Sequence, residues 1–297
     1  MDNLHVMPAL GVYEQLNVNY NVQQKSVWYL LKTKPIPCFN HEILRELKLL
    51  QSRIVRLSSV DNHGTGSQSV EYIVLASDVD GVFNYGGDLR LFVNLIKQGD
   101  ADALRRYAKA CIDVLYPNSA GLGVGLTSIS LVQGDALGGG CEAALSSHVT
   151  IAEESAKFGL PEVLFNLIPG MGAYSILSRR IPPASAERII LGGELHSARQ
   201  FYDLGLIDAV VPDGEGERAV AEFIRAHRKR RNAHRALRQV RERVHPMSYD
   251  ELMAVTDLWV DAALRLEARD LRMMERLARA QERNTREGAG AAALLQG

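Results

Sequence analysis

Apolar positions along this chain fall into short runs in its first two thirds and into helical stripes in its last third. VWYLLKTK (Val27 to Lys34) is rich in β-branched and aromatic residues and predicts a strand. It ends at PIPCFN. HEILRELKLLQSRIVRL follows with Ile43, Leu44, Leu47 and Leu50 at helical spacing. VEYIVLASD (Val70 to Asp78) predicts a second strand, poor enough in polar residues to be covered on both faces. After the loop VDGVFNYGG, DLRLFVNLIK returns to the helical pattern, with Asp88 placed as N-cap. SISLVQG (Ser128 to Gly134) predicts a third strand and CEAALSS a helix, and HVTIAEE and AKFGLPE read as further strand pieces. Strand, loop and helix in repetition predict an α/β fold with parallel strands and right-handed crossovers.

From about Pro182 the strand signals stop. SAERIILGGEL, SARQFYDLGLI, the stretch from Gly216 to Val244 and the stretch from Ser248 to Asn284 all read as helical. In the last, Leu252, Val255, Trp259, Ala263 and Leu266 form one stripe. The expected division is therefore an α/β core over residues 1–212 and a helical C-terminal region over 213–297. The tail from about 287, EGAGAAALLQG, is expected to be loose.

Composition narrows the function classes. The 297 residues are 46% hydrophobic and carry a formal net charge of −1, which excludes a globally basic nucleic-acid binder. Cys38, Cys111 and Cys141 are widely spaced, with no CxxC, and His63, His148, His196 and His245 have no metal spacing. No disulfide framework and no metal site are expected. The start, MDNLHVMPALGVYEQL, lacks the basic and apolar segments of a secretion signal, and the nearly apolar run from Ala120 to Val132 is too short to span a bilayer. A cytoplasmic chain without membrane insertion is expected.

Candidate chemistry centres on LGGGCEAALSS. Glycines that run into a helix expose backbone N–H groups at its positive end, and a ligand oxygen can approach them closely. The run lacks the Lys-Ser/Thr of a P-loop and the GxGxxG spacing of a dinucleotide site. FNYGGDL also joins a loop to a helix start, so two such loops can place one N–H each on a single oxyanion. Glu142, three residues after Gly139, falls on the same helical turn.

FNYGGDL, QGDALGGGCEAAL and FGLPEVLFNLIPGMGAYSIL together resemble the successive signature stretches of the crotonase (enoyl-CoA hydratase/isomerase) superfamily, and the resemblance runs from about Val70 to Pro212. It implies a β-β-α spiral with a helical C-terminal extension. It places two oxyanion donors on Gly87 and Gly139, with Gly86 a neighbouring candidate for the first. It implies a catalytic pair, Glu142 and Glu162, with Glu162 handling the α proton and Glu142 handling water. No cofactor is implied beyond the carrier of a thioester substrate, coenzyme A or acyl carrier protein.

The C-terminal stretch from Arg230 to Gln281 is similar to that of the diffusible signal factor synthases, a branch of the same superfamily. TKPIPCFN departs from the RPxxxNAL pattern of ordinary hydratases, with Asn40 one residue further from Pro35. This narrower likeness implies dehydration of a 3-hydroxyacyl thioester to a cis-2-enoyl thioester, then hydrolysis to a free medium-chain acid, a quorum-sensing signal. It also implies acyl carrier protein as partner, the receiver domain of a sensor histidine kinase as another, and assembly as a trimer or hexamer. Conventional enoyl-CoA hydration and a non-catalytic regulator of a sensor kinase are the competing readings.

Met171, Trp259, Met274 and Leu277 are candidates for an apolar sheath around an acyl chain, and equally for plain core. The basic run from Arg225 to Arg243 reads as a solvated helix face, or as a dock for an acidic carrier or for coenzyme A phosphates. Cys141 reads as a small residue packed at a helix start rather than as a nucleophile.

Overall fold

The computed structural model describes residues 4–5, 7–60 and 70–287; His63 and the tail beyond Glu287 lie outside them. In chain order the elements are β1 (Leu4–His5), β2 (Leu16–Asn21), β3 (Ser26–Leu31), α1 (His41–Val60), β4 (Tyr72–Ser77), β5 (Val82–Asn84), α2 (Leu89–Gln98) and α3 (Ala101–Ser119). Then come β6 (Thr127–Val132), β7 (Asp135–Leu137), α4 (Gly139–Ser146), β8 (Val149–Glu153), β9 (Lys157–Gly159), α5 (Ala173–Leu177), α6 (Pro183–Gly192), β10 (Leu195–Ser197), α7 (Ala198–Asp203) and β11 (Ala209–Val211). Four helices close the chain: α8 (Gly216–Lys229), α9 (Arg231–Val244), α10 (Tyr249–Ala263) and α11 (Ala268–Glu287).

Two sheets share these strands. The larger runs β1-β2-β3-β4-β6-β8-β11 and the smaller β10-β9-β7-β5. Successive pairs β4/β5, β6/β7 and β8/β9 each give one strand to the large sheet and the next to the small one. A helical segment follows each pair: α2, α4, and a 3-10 turn over Pro161–Phe165. This is the β-β-α spiral that the resemblance implies.

The large sheet explains its apolar strands. Trp28, Tyr72, Val74, Ile129, Leu131 and Ile151 face α8, where Val220 and Ile224 cover them. The alternate residues Val27, Tyr29, Ile73 and Leu75 join the main core with Ile43 and Leu47 of α1 and Leu104 of α3. With both faces covered, every residue of β4 and β6 except the half-buried Ser77 is buried. The C-terminal helices share that core, since Leu252, Trp259, Ala263 and Met274 belong to the same cluster. Helix α9 is the exception: none of its residues is buried.

Several sequence expectations need correction. Strand signals do not end at Pro182: β10 pairs antiparallel with β9, and β11 pairs parallel with β8. Each has three residues, too few to show a period. The helix read through SARQFYDLGLI is confined to Ala198–Asp203, where Ser197 and Gln200 form a capping box. Helix α3 and strand β2 fall on stretches to which no element was assigned. Asp88 caps α2 as expected, accepting from the Leu91 N–H at 3.0 Å.

The join between the sheets depends on bare backbone. A Cβ on Gly140 would lie 2.1 Å from the Asn84 carbonyl oxygen, so α4 can lie against β5 only as glycine. Backbone cannot move aside as a flexible side chain can. Gly140→Ala is therefore expected to lower stability by roughly 1–3 kcal/mol, read as a lower midpoint in urea with an unchanged slope.

Candidate active site

Gly87 and Gly139 lie at the starts of two different helices, α2 and α4, and the fold brings these starts into contact. A Cβ on Gly86 would fall 2.7 Å from the Gly139 nitrogen and 2.8 Å from the Leu137 carbonyl oxygen. Gly86 also has φ of +91°, a conformation that other residues rarely adopt. Its own N–H is occupied by the Asn84 Oδ1 at 2.7 Å, so Gly86 is not available as a donor. That corrects its place among the candidates: it shapes the turn, and Gly87 is left to present an amide. Among the described residues, neither the Gly87 nor the Gly139 N–H donates to a protein acceptor. Gly139 opens α4, where no intrahelical acceptor exists.

Gly87 and Gly139 line one cavity, with Glu142, Glu162, Met171, Trp259 and Leu277. Of the proposed sheath, Met274 is not in its wall; it is fully buried in the core behind. The remaining wall is mostly apolar, with Leu89, Phe92, Phe165 and Leu167 prominent. Phe92 meets Trp259 edge-on at 5.2 Å between centroids, and Tyr107 at 5.0 Å. Gly170 lets the Trp259 ring in, since a Cβ there would stand 2.7 Å from it. The cavity volume is about 70 Å³.

The two carboxyls are held differently. Glu142 is 2% exposed, and its Oε1 accepts from the Met171 and Ala173 N–H groups, each at 2.8 Å. Glu162 enters from the 3-10 turn, so close to Gly138 that a Cβ there would meet its Oε1 at 2.5 Å. Its Oε2 is buried without a hydrogen-bond partner. Burial pushes both carboxyls above the ordinary carboxylate range; for Glu142 the two amides work against it, and for Glu162 the charge of Glu142 adds to it. Burial and mutual repulsion therefore disfavour ionising both carboxyls at once, and the amides favour Glu142 as the one that carries the charge.

Tyr107 is the member that sequence reading missed. It is buried on α3, its hydroxyl donates to the Phe39 carbonyl, and it accepts from the Asp88 N–H at 3.4 Å. It thus ties down the loop that carries Gly87. The pattern Leu104, Tyr107, Ala108, Cys111 marks a buried helix face, but nothing local tells which of its residues reaches the cavity. Cys141 is fully buried, and burial raises its thiol well above the ordinary value, so it stays a protonated packing residue. The other described histidines lie outside this cavity. Among the described residues no group of His, Cys, Asp or Glu is placed to hold a metal ion, and no helix is long and apolar enough to cross a membrane.

The raised carboxyls carry a stability consequence. Between the ordinary value of 4.5 and its own raised value, folded Glu162 holds a proton that the unfolded chain has released. Stability falls as pH rises through that window. Glu162→Gln removes the titration, so its melting temperature is expected to rise relative to the parent between pH 5 and pH 9. An equal difference at both pH values would refute the assignment.

Comparison with known proteins gives a consistent result. A family model described as enoyl-CoA hydratase/isomerase matches residues 57–274. The peroxisomal fatty acid beta-oxidation multifunctional protein AIM1 of Arabidopsis thaliana is 34% identical over 146 residues, 49% of this chain and 19% of that protein. A probable enoyl-CoA hydratase of Mycobacterium tuberculosis is 45% identical over 85 residues, 29% of this chain and 33% of the relative. The matched stretch thus spans a third or less of the length of these two curated relatives. Among solved structures, an enoyl-CoA hydratase from Bacillus halodurans superposes with a TM-score of 0.71 at 18% identity, covering 88% of this chain and 99% of that one. Pseudomonas aeruginosa DspI superposes with a TM-score of 0.61 at 23% identity, covering 86% and 90%. At these identities the superpositions speak for the fold.

Proposed function

The chain belongs to the enoyl-CoA hydratase/isomerase family, and from that premise we propose that it adds water to, or removes it from, the α and β carbons of an acyl thioester. The observation that supports this reading is that Gly87 and Gly139, whose N–H groups have no protein acceptor among the described residues, line one apolar cavity with two unequally held carboxyls. In the hydration direction, ionised Glu142 takes a proton from water as the hydroxyl bonds to the β carbon. The π electrons move onto the thioester oxygen, which accepts from the Gly87 and Gly139 N–H groups. The enolate then collapses and takes the proton of Glu162 at the α carbon. Dehydration runs the same steps backwards from the other protonation arrangement, with the same total charge.

Cavity size bears on the substrate. About 70 Å³ takes the short end of an acyl chain, whereas sites for larger ligands run to roughly 300 Å³ and more. That size favours a short enoyl group as substrate. Met171 has the flexibility to yield, and its Sδ lies 2.6 Å from where a Cβ on Gly139 would be.

A second reading is favoured by the sequence from Arg230 to Gln281. In it the chain dehydrates a medium-chain 3-hydroxyacyl group, carried by acyl carrier protein, to the cis-2-enoyl thioester. Water then attacks the carbonyl carbon, the same amides hold the tetrahedral oxyanion, and the thiol leaves with the proton. Free cis-2-unsaturated acid is the product.

One experiment separates the readings. Purified protein is given crotonyl-CoA and, separately, 3-hydroxydodecanoyl carrier protein, with products identified by mass spectrometry. Turnover of the first without release of free acid from the second supports the hydratase; cis-2-dodecenoic acid from the second supports the synthase. No turnover of either overturns both. Glu142→Ala and Glu162→Ala are each expected to lower kcat by about 10²- to 10⁴-fold. Tyr107→Phe frees the Gly87 loop while leaving the carboxyls in place, and kcat is expected to fall by between about tenfold and a hundredfold with KM little changed. A Tyr107→Phe variant with parental kcat would remove that residue from the mechanism.

A further inference from the structure

At the far end of α4 and α5 from the carboxyl pair lies a second cavity, of about 390 Å³, lined by Arg180, Arg238 and Arg241 with His148 and His245. Arg180 follows α5 and is half-buried; its guanidinium donates to the Leu145 and Ser147 carbonyls at 2.7 and 3.0 Å and to Leu206. Arg238 reaches in from α9, donating to the Leu126 carbonyl at 2.6 Å and to Thr127 Oγ1 at 3.2 Å. The Arg241 side chain makes no hydrogen bond or ion pair among the described residues.

Among the described residues, none of these three guanidiniums forms an ion pair with a carboxylate. Arg179, also in the wall, is bridged to Glu251 at 2.6 Å and is neutralised. Two acids face the cavity, Asp208 and Glu242, and Asp208 is engaged by the Thr150 N–H at 2.8 Å. Burial is the main cause that lowers Arg180 and Arg238 from the ordinary guanidinium value; Asp208 and Glu242 oppose it, and Arg241 and Arg235 add to it. His148 accepts from the Ser128 N–H at 3.0 Å, and burial with the surrounding arginines pushes it down to about 3, so it is neutral. Like charges gathered in a part-buried cleft raise its potential, and such a cleft concentrates counter-ions. Guanidinium forks match the oxygens of a phosphoryl group.

We propose that this cavity binds a compact, multiply charged oxyanion of the phosphate type, held by Arg180, Arg238 and Arg241. The anion would brace α9, which buries nothing of its own, against the ends of α4 and α5. Those two helices carry Glu142 and the Ala173 amide that holds it.

The test uses the full chain and isothermal titration with sodium pyrophosphate and with glycerol 3-phosphate, each against sodium chloride at matched ionic strength. Saturable binding of pyrophosphate alone assigns the site to a free anion, and of glycerol 3-phosphate as well to phosphate esters. Arg241→Ala removes an exposed side chain without intramolecular bonds, so it keeps the fold. It is expected to raise Kd at least about tenfold, the loss of one charge-assisted hydrogen bond, and Arg241→Lys to recover part of that. Glu142→Gln is expected to leave Kd unchanged, so the result is independent of the proposed chemistry. No saturable binding, or equal affinity in Arg241→Ala, overturns the proposal. So does a changed oligomeric mass in Arg241→Ala without anion binding, which would assign the cluster to a contact between copies of the chain.

Discussion

Two carboxyls in one apolar cavity, with no cation beside them among the described residues, resist carrying charge together. That repulsion sets the terms for everything around Glu142 and Glu162. Ionising either costs desolvation, and ionising both adds Coulomb repulsion in a poorly screened space. The surrounding structure breaks the symmetry: Oε1 of Glu142 takes two backbone N–H groups, whereas Oε2 of Glu162 has no partner. Unequal support separates the two carboxyls in how readily each gives up its proton, as the proposed acid–base roles require. The amides that hold Glu142 come from Met171 and Ala173, at the entry to α5, so the position of that short helix sets how the Glu142 carboxyl is held.

Close backbone approach is the second requirement, and it explains the run of glycines. Gly138 makes room for the Glu162 carboxyl, Gly139 for the Met171 sulfur and Gly140 for the Asn84 carbonyl. Each faces a different neighbour, so the run is one packing solution at three contacts rather than a flexible linker. Gly86 meets the same junction from the other loop. What results is a place where the starts of two helices nearly touch beside one cavity.

Much of this was legible along the chain. The apolar runs of β3, β4 and β6 and the stripes of α1, α2 and α10 follow from periodicity, and Asp88 was recognisable as a cap. The glycine runs and the two glutamates stood out because their residue types contradict their surroundings. Short β10 and β11 were not legible, because three residues in the middle of helical sequence carry no period of their own. They exist because β9 and β8 offer them unpaired edges. Met274 looked as suitable for a cavity wall as Leu277, and a turn of helix decides which of them faces the space.

The sequence by itself determined the α/β pattern, the family, and which residues have the chemistry to hold an oxyanion and move protons, since those follow from residue type and local spacing. Only the tertiary structure decided that the Gly86 amide is already occupied, that Tyr107 anchors the Gly87 loop across 20 residues of chain separation, and that Glu142 and Glu162 differ in support. It also decided that Arg180 shares a cavity with Arg238 and Arg241. The reason is physical: a hydrogen bond or a charge acts through space, and its strength depends on which atoms the folded chain brings within a few ångströms and how little water lies between them.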